Sequence, residues 1–262
     1  MTVRIAVAGK GGTGKSTFVA LTINRLIARG IHPILAVDAD PNSNLDVLLG
    51  LHPENTIADL REKFREMDIP PGMSKTEYLE LQLEQAIVEG EKVDLLVMGR
   101  PEGPGCYCAV NELLRIYLSK LGRGYKIVIM DTEAGMEHLS RRTTDNLNHL
   151  FIMSDPTRVA LDSARRIYNL AGLLGLHIKD IWLVINRSRG DIEKLDKYIR
   201  DWYTSEVFQL PECSDLMNYV EEGGDFLSLK KELTFGYIFS YVDDIIDKTI
   251  LKEKEVKKCD GR

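Results

Sequence analysis

The sequence has little that would hold a nucleic acid or a lipid bilayer. Aromatic residues make up only 7% of the 262 residues, too few to furnish a run of stacking platforms for unpaired bases. Basic residues are outnumbered, 34 Lys and Arg against 40 Asp and Glu, and the formal charge of −6 opposes broad attachment to a phosphate backbone. No stretch approaches the ~18 uninterrupted apolar residues of a membrane-crossing helix. Met1-Thr2-Val3-Arg4 passes straight into an apolar run, without the charged start, greasy core and small-residue cleavage site of a secretory leader. These absences predict a cytoplasmic protein with no nucleic-acid or membrane partner. Cysteine is scarce as well. Cys106, Cys108, Cys213 and Cys259 are unevenly spaced and suit free thiols or metal ligands better than a disulfide framework.

Short apolar runs alternate with longer helical patterns, at residues 3–8, 33–37, 93–98, 126–130, 150–153 and 181–185. Runs that are apolar at nearly every position suit strands buried on both faces. The expected fold is α/β, a doubly wound and mostly parallel sheet flanked by helices, with residues 1–250 forming a single domain. Residues 54–90 carry more charge and the break Pro70-Pro71-Gly72, then resume a helical pattern through Tyr78, Leu79, Leu83, Ala86 and Ile87. They read as a helical excursion. Residues 251–262, with Lys252, Lys254, Lys257 and Lys258, read as a flexible tail. That tail lacks the strong apolar face of a membrane-binding helix.

Gly9-Lys10-Gly11-Gly12-Thr13-Gly14-Lys15-Ser16 matches G-x-x-x-x-G-K-[ST], after the first apolar run and before a helix expected near Thr17. Its glycines let the backbone N–H groups of Gly11, Gly12, Thr13, Gly14 and the residues through Thr17 converge on phosphate oxygens, while the helix directs its positive end at them. Lys15 is then the cation for the β- and γ-phosphates, and Ser16 places its hydroxyl on the Mg²⁺ of Mg-ATP. Lys10 is surplus to such a loop. With it, Lys-Gly-Gly-x-x-Gly-Lys-[ST] resembles the deviant Walker A loop of the family containing nitrogenase iron protein, division-site and partition ATPases, and metal-insertion ATPases. The resemblance implies a nucleotide-dependent homodimer in which Lys10 reaches across to the partner's nucleotide.

Asp38-Ala39-Asp40-Pro41 follows the second apolar run, so both carboxylates are expected at the strand edge where α/β sheets hold their ligands. By resemblance this is a first switch: Asp40 orients or activates the attacking water, and Asp38 lies near the magnesium shell. The same residues also suit a turn whose following helix is capped by Asn42 or Asn44. Asp131 ends the run 127–130 at the position of a Walker B acid. Thr132-Glu133-Ala134-Gly135 resembles the second switch, with Gly135 offering its N–H to the γ-phosphate. Asn186-Arg187 closes the run 181–185, and resemblance makes it a base-recognition position, although a plain loop asparagine fits too. Pro211-Glu212 is expected on the other side of the base.

Gly103-Pro104-Gly105-Cys106-Tyr107-Cys108 puts two thiols in one sharp turn. Structural zinc commonly takes four ligands, so Cys106 and Cys108 supply half a site, and a twofold axis would complete it because a C₂ interface is self-complementary. Two small turn or core residues are the plainer reading. The stretch from Gly99 through Cys108, together with Gly135-Met136-Glu137-His138-Leu139, resembles the carbon monoxide dehydrogenase maturation ATPases over most of the chain. That resemblance implies Zn or Ni at Cys106 and Cys108 on a dimer interface, and a client that is carbon monoxide dehydrogenase or acetyl-CoA synthase. The chain lacks the further cysteine that nitrogenase iron protein carries soon after its Walker B acid, which disfavours an electron-donating iron-sulfur protein. Cys213 and Cys259 lack ligand spacing. His138 at a helix start suits a cap, a switch contact or a transient metal contact, and His32, His52, His149 and His177 show no metal pattern. The expected function is an ATP-hydrolysing metallochaperone for nickel insertion; a positioning or partition switch without metal chemistry, and a passive nickel carrier, are the alternatives.

Overall fold

Successive residues of the first strand point into two separate cores. In the computed structural model, which describes residues 2–41, 44–60, 70–100, 124–132, 146–173, 177–190, 192–203, 205–229 and 234–252, strand β1 (Val3–Gly9) sends Ile5 and Val7 to one side and Ala6 and Ala8 to the other. Strand β5 (Ile127–Thr132) does the same with Ile127 and Ile129 against Val128 and Met130. Burial on both faces is why these strands read as unbroken apolar runs.

The described residues form one eight-stranded sheet in the order β3-β4-β2-β5-β1-β6-β7-β8. Its other strands are β2 (Ile34–Ala39), β3 (Ile87–Val88), β4 (Val93–Val97), β6 (Asn146–Ser154), β7 (His177–Ser188) and β8 (Val207–Pro211). All neighbours pair in parallel except β3, which runs antiparallel to β4. The expected doubly wound, mostly parallel sheet is therefore present. One face packs helices α1 (Lys15–Ala28) and α7 (Tyr237–Lys248) through Phe18, Leu21, Leu26, Ile238, Val242 and Ile246. The other face packs α4 (Arg158–Leu173) through Leu161, Ala164, Ile167 and Ala171. The remaining helices are α2 (Leu45–Leu49), α3 (Lys75–Gln85), α5 (Asp196–Ile199) and α6 (Ser214–Glu221).

Two sequence expectations shift. The helical pattern extended through Ile87, but α3 ends at Gln85, and Ile87 pairs with Leu96 as the antiparallel edge strand. The start of α3 is set by a reciprocal cap: Glu77 N donates to Ser74 Oγ at 3.2 Å, and Ser74 N donates to Glu77 Oε2 at 2.8 Å. Asp38 is expected to follow its strand, yet it lies inside β2, while Asp131 lies near the end of β5, where its run is expected to close. No helix among the described residues is long and apolar enough to cross a membrane.

Candidate nucleotide site

The chain runs out from β1 to β2, returns through β5 beside β1, and crosses to β6 on the other side of β1. This reversal opens a crevice at the C-terminal ends of the central strands, the usual ligand position in such sheets. The loop from Gly9 to Ser16 occupies that place. Helix α1 begins at Lys15, two residues before the expected Thr17, with Gly14 as its N-cap. Gly12 and Gly14 adopt φ of 80° and 86°, a region that a side chain disfavours. Thr13 Oγ1 donates to Lys10 O at 2.8 Å and closes the turn.

The two loop lysines differ. Lys15 is 6% exposed and held within its own chain, whereas Lys10 is exposed at the loop's tip. Exposure of a cation beside a buried cation is what a contact to something outside the chain requires. It leaves Lys15 to serve the chain's own loop.

Asp131 is fully buried, and its Oδ2 accepts a hydrogen bond from Ser16 Oγ. Its Oδ1 has no partner among the described residues. Burial, reinforced by the Asp38 charge, raises the Asp131 pKa to about 7, against the pull of the Ser16 hydrogen bond and the Lys15 charge. A buried carboxylate oxygen left unpaired is costly in isolation. Together with the Ser16 hydroxyl it forms a hard-oxygen set that suits Mg²⁺ or its water shell, so the residues present fit the ion.

Asp38 has a different occupation. Its Oδ1 accepts from Asp40 N at 3.1 Å, and its Oδ2 accepts from Asn44 N at 3.2 Å and Leu45 N at 3.0 Å. The last two donors lie at the start of α2, whose N-cap Asn44 makes no side-chain cap of its own. Asp38 thus supplies the cap expected from Asn44 and braces the segment carrying Asp40; Asn42 lies outside the described residues. Asp40 itself lies just past β2 and is partly buried.

Asn186 and Arg187 meet the loop from β7. The pairing of β7 with β8 shifts between Ile185 and Ser188, where three steps on β7 match two on β8. This one-residue bulge breaks the up-down alternation of the strand, and Arg187 takes φ 54°, the one positive value outside glycine among the described residues. Consecutive side chains then reach the same loop: Asn186 Nδ2 donates to Thr13 O at 2.9 Å, and Arg187 Nη1 donates to Gly12 O at 3.0 Å. Arg187 Nη1 also lies 3.3 Å from Asp155 Oδ1.

A cleft opens beside the loop, lined by Gly14, Thr17, Asn186, Leu210, Pro211 and Met217 among others. Its largely apolar lining suits a base. Cys213 also lines it, 7% exposed. Sequence reasoning missed Cys213, Met217 and Asp155. The signal available was position, since Cys213 follows Pro211-Glu212 directly and Asp155 immediately follows β6. Gly135, His138, Cys106, Cys108 and Cys259 lie outside the described residues. Among the described residues no three His, Cys, Asp or Glu side chains cluster as a metal site.

Residues 5–226 match the family described as the CobQ/CobB/MinD/ParA nucleotide binding domain. An uncharacterized ATP-binding protein of Methanocaldococcus jannaschii is 40% identical over 254 residues, spanning 95% of this chain and 99% of its own. The carbon monoxide dehydrogenase accessory protein CooC of Rhodospirillum rubrum is 33% identical over 207 residues, 73% of this chain and 76% of its own. Among solved structures, the septum site-determining protein MinD of Pyrococcus horikoshii, complexed with Mg-ADP, superposes with a TM-score of 0.68 at 22% identity, covering 95% of this chain and 97% of that one.

Proposed function

The chain belongs to the CobQ/CobB/MinD/ParA nucleotide-binding family, and on that premise we propose that it is a dimerising, Mg-ATP-hydrolysing metallochaperone that supports nickel insertion into carbon monoxide dehydrogenase or acetyl-CoA synthase. The observation that carries the ATPase core is the divided pair of lysines, Lys15 buried in the loop and Lys10 exposed at its tip. In this account the N–H groups from Gly11 through Thr17 cradle the phosphates, and Lys15 neutralises them. Ser16 and Asp131 would hold a magnesium ion or its water shell, which would supply positive charge beside the phosphates. Asp40 orients the water that attacks the γ-phosphorus, giving ADP and phosphate. Gly135 senses the γ-phosphate, and Lys10 enters the partner's site. Pro211 and the Asn186-Arg187 edge border the base. Residues 1–250 act as one domain, and the expected tail lies, from residue 253 on, outside the described residues.

Metal delivery is supported by the likeness to the carbon monoxide dehydrogenase accessory protein and by the Cys106-Tyr107-Cys108 spacing. Two protomers would bring four thiolates together and bind Zn or Ni. ATP promotes this only through a higher affinity for the dimeric arrangement. Relatives named septum site-determining protein MinD, at 25–29% identity, favour a second reading, a positioning switch without metal chemistry.

The deciding experiment compares wild type with a Cys106→Ser/Cys108→Ser variant for bound metal, ATP-dependent dimerisation and activation of nickel-free carbon monoxide dehydrogenase. Metal loss with failed activation and intact ATPase supports delivery. Intact activation without bound metal overturns it, and co-sedimentation with liposomes or DNA favours the positioning switch.

A further inference from the structure

Asp38 is tied to the base cleft through the helix it caps. Its Oδ2 holds the N–H groups of Asn44 and Leu45 at the start of α2, and its Oδ1 holds the N–H of Asp40. Helix α2 has five residues, too few to stand without its surroundings. Its other end is held by the turn after α6. Phe226 N donates to Leu48 O at 2.8 Å, taking up a carbonyl that the end of a helix leaves without a partner. Phe226 is completely buried in the same apolar cluster as Leu45, Leu48 and Leu49, and its own carbonyl accepts from Asn24 Nδ2 of α1 at 2.8 Å. The Asp225 carboxylate packs against Gly50, where a Cβ would lie 2.9 Å from Asp225 Oδ2.

Tyr219 joins this turn to α6. Its hydroxyl donates to Asp225 O at 2.6 Å, its carbonyl accepts from Gly224 N at 2.8 Å, and its ring meets Phe226 edge-on with centroids 5.5 Å apart. The ring lies so close over Gly224 that a Cβ there would come within 2.2 Å of it. Tyr219 is not among the residues lining the base cleft, but its helix is: Leu216, Met217 and Val220 of α6 line it. No residue of α6 is buried. A helix so lightly seated takes its position in part from what fills the cleft beside it. The base cleft and Asp40 thus stand at the two ends of one continuous series of contacts, through α6, Tyr219, the turn at 224–226, Leu48, α2 and Asp38.

Resting on the nucleotide reading above and deepening it, we propose that Tyr219 is a positioning residue for hydrolysis: through it, a base seated in the cleft sets α2 and, by way of Asp38, the segment carrying Asp40. The base then governs how fast the γ-phosphate is hydrolysed as well as how tightly the nucleotide is held. It biases α2 only through differential contact with α6, and the binding energy that goes into placing Asp40 raises turnover rather than affinity. A series of single hydrogen bonds transmits no more than its weakest member is worth, which limits the effect to about three- to tenfold.

The test separates turnover from affinity. Phosphate release at saturation, and affinity by displacement of a fluorescent ATP analogue, are measured on the full chain with Mg-ATP and with Mg-CTP, whose single-ring base fills less of the cleft. The proteins are wild type, Tyr219→Phe, which loses the hydroxyl and keeps the ring, and Tyr219→Leu, which loses both. Wild type should turn over ATP about three- to tenfold faster than CTP at saturation. Tyr219→Phe should lower the ATP rate toward the CTP rate, and Tyr219→Leu should bring the two together, with the CTP rate and the ATP affinity left as in wild type. Equal saturated rates for the two nucleotides in wild type overturn the proposal, as do unaltered ATP rates in both variants. A variant that slows ATP and CTP by the same factor, or that weakens ATP binding as much as it slows turnover, overturns it too, since either describes a residue that only supports the fold. A wild type that binds or hydrolyses no ATP removes the nucleotide reading itself, and the proposal with it. Thermal melting of each variant accompanies the assays, and Tyr219→Phe carries the test should Tyr219→Leu fail to fold.

Discussion

Asp38 and Asp131 are register partners on the adjacent parallel strands β2 and β5, and both are completely buried. Partners in parallel strands present their side chains to the same face, so two carboxylates share one small volume. They are provisioned unequally. Asp38 receives three backbone N–H donors, whereas Asp131 receives one hydroxyl and keeps one oxygen unpaired among the described residues. The first carboxylate braces Asp40 and the start of α2, and the second is the one we propose for the magnesium shell.

Opposite outcomes follow for two isosteric changes. Asp38→Asn turns an amide NH₂ or a weaker acceptor toward the N–H groups of Asp40, Asn44 and Leu45, and costs about 1–3 kcal/mol of stability. Asp131→Asn removes the partner in a buried like-charge pair, leaving stability equal or higher, while hydrolysis falls by about 10²–10³-fold, the scale for losing one preorganised electrostatic group. Urea unfolding and phosphate release check both. A strongly destabilised Asp131→Asn would refute this division of roles.

The two loop lysines separate in the same way. Lys15→Ala abolishes nucleotide binding by the single chain. Lys10→Ala binds ATP with unchanged affinity but loses hydrolysis. Mixing Lys10→Ala with Asp40→Ala restores activity in the mixed dimer, where one site combines its own Asp40 with the partner's lysine. No recovery on mixing would show that Lys10 acts within its own chain.

The strands were legible because burial on both faces leaves its mark at every position, as in Ile5, Ala6 and Val7. The loop was legible because its geometry demands glycine at Gly12 and Gly14. Ile87 was misread because a two-residue edge strand still falls on the helical period set by Tyr78 and Leu83. Asp38 was misplaced because an aspartate inside a buried strand is improbable until its three backbone donors, two of them from the start of α2, are known. The aim of Asn186 and Arg187 was invisible, since alternation sends neighbours to opposite faces and only the β7 bulge brings them to one loop. Cys213 became a wall of the cleft through tertiary packing of α6, which no spacing rule encodes.

That wall gives a direct occupancy measurement. Cys213 is largely buried but lines the cleft beside Gly14 and Thr17, so an alkylating reagent reaches it slowly, and a bound base shields it further. Alkylation at Cys213, quantified by peptide mass spectrometry, slows at saturating Mg-ATP in wild type. It is indifferent to Mg-ATP in Lys15→Ala. Equal rates with and without ATP in wild type would place the base elsewhere.

His149 is expected to make the fold sensitive to acid. The imidazole sits in β6 with Ile5 and Asp180 as its register neighbours, 1% exposed. Its Nδ1 accepts from Trp182 Nε1 at 3.2 Å, and its Nε2 has no partner among the described residues. Burial lowers its pKa to about 4; Asp180 pulls it upward but does not compensate, and Lys179 adds to the lowering. The unfolded chain takes up the proton near the ordinary 6.5, while the folded chain refuses it until about 4. The contribution of neutral His149 is therefore complete above pH 6.5 and is lost as pH falls toward 4, by about 3 kcal/mol in all. His149→Gln keeps an acceptor for the Trp182 indole and cannot titrate in this window. Between pH 7 and pH 4.5 wild type should lose stability relative to His149→Gln in urea unfolding, since the raised pKa of Asp131 acts in the opposite direction in both proteins alike and cancels in the comparison. Equal drops in the two proteins would assign the acid sensitivity to the carboxylates instead.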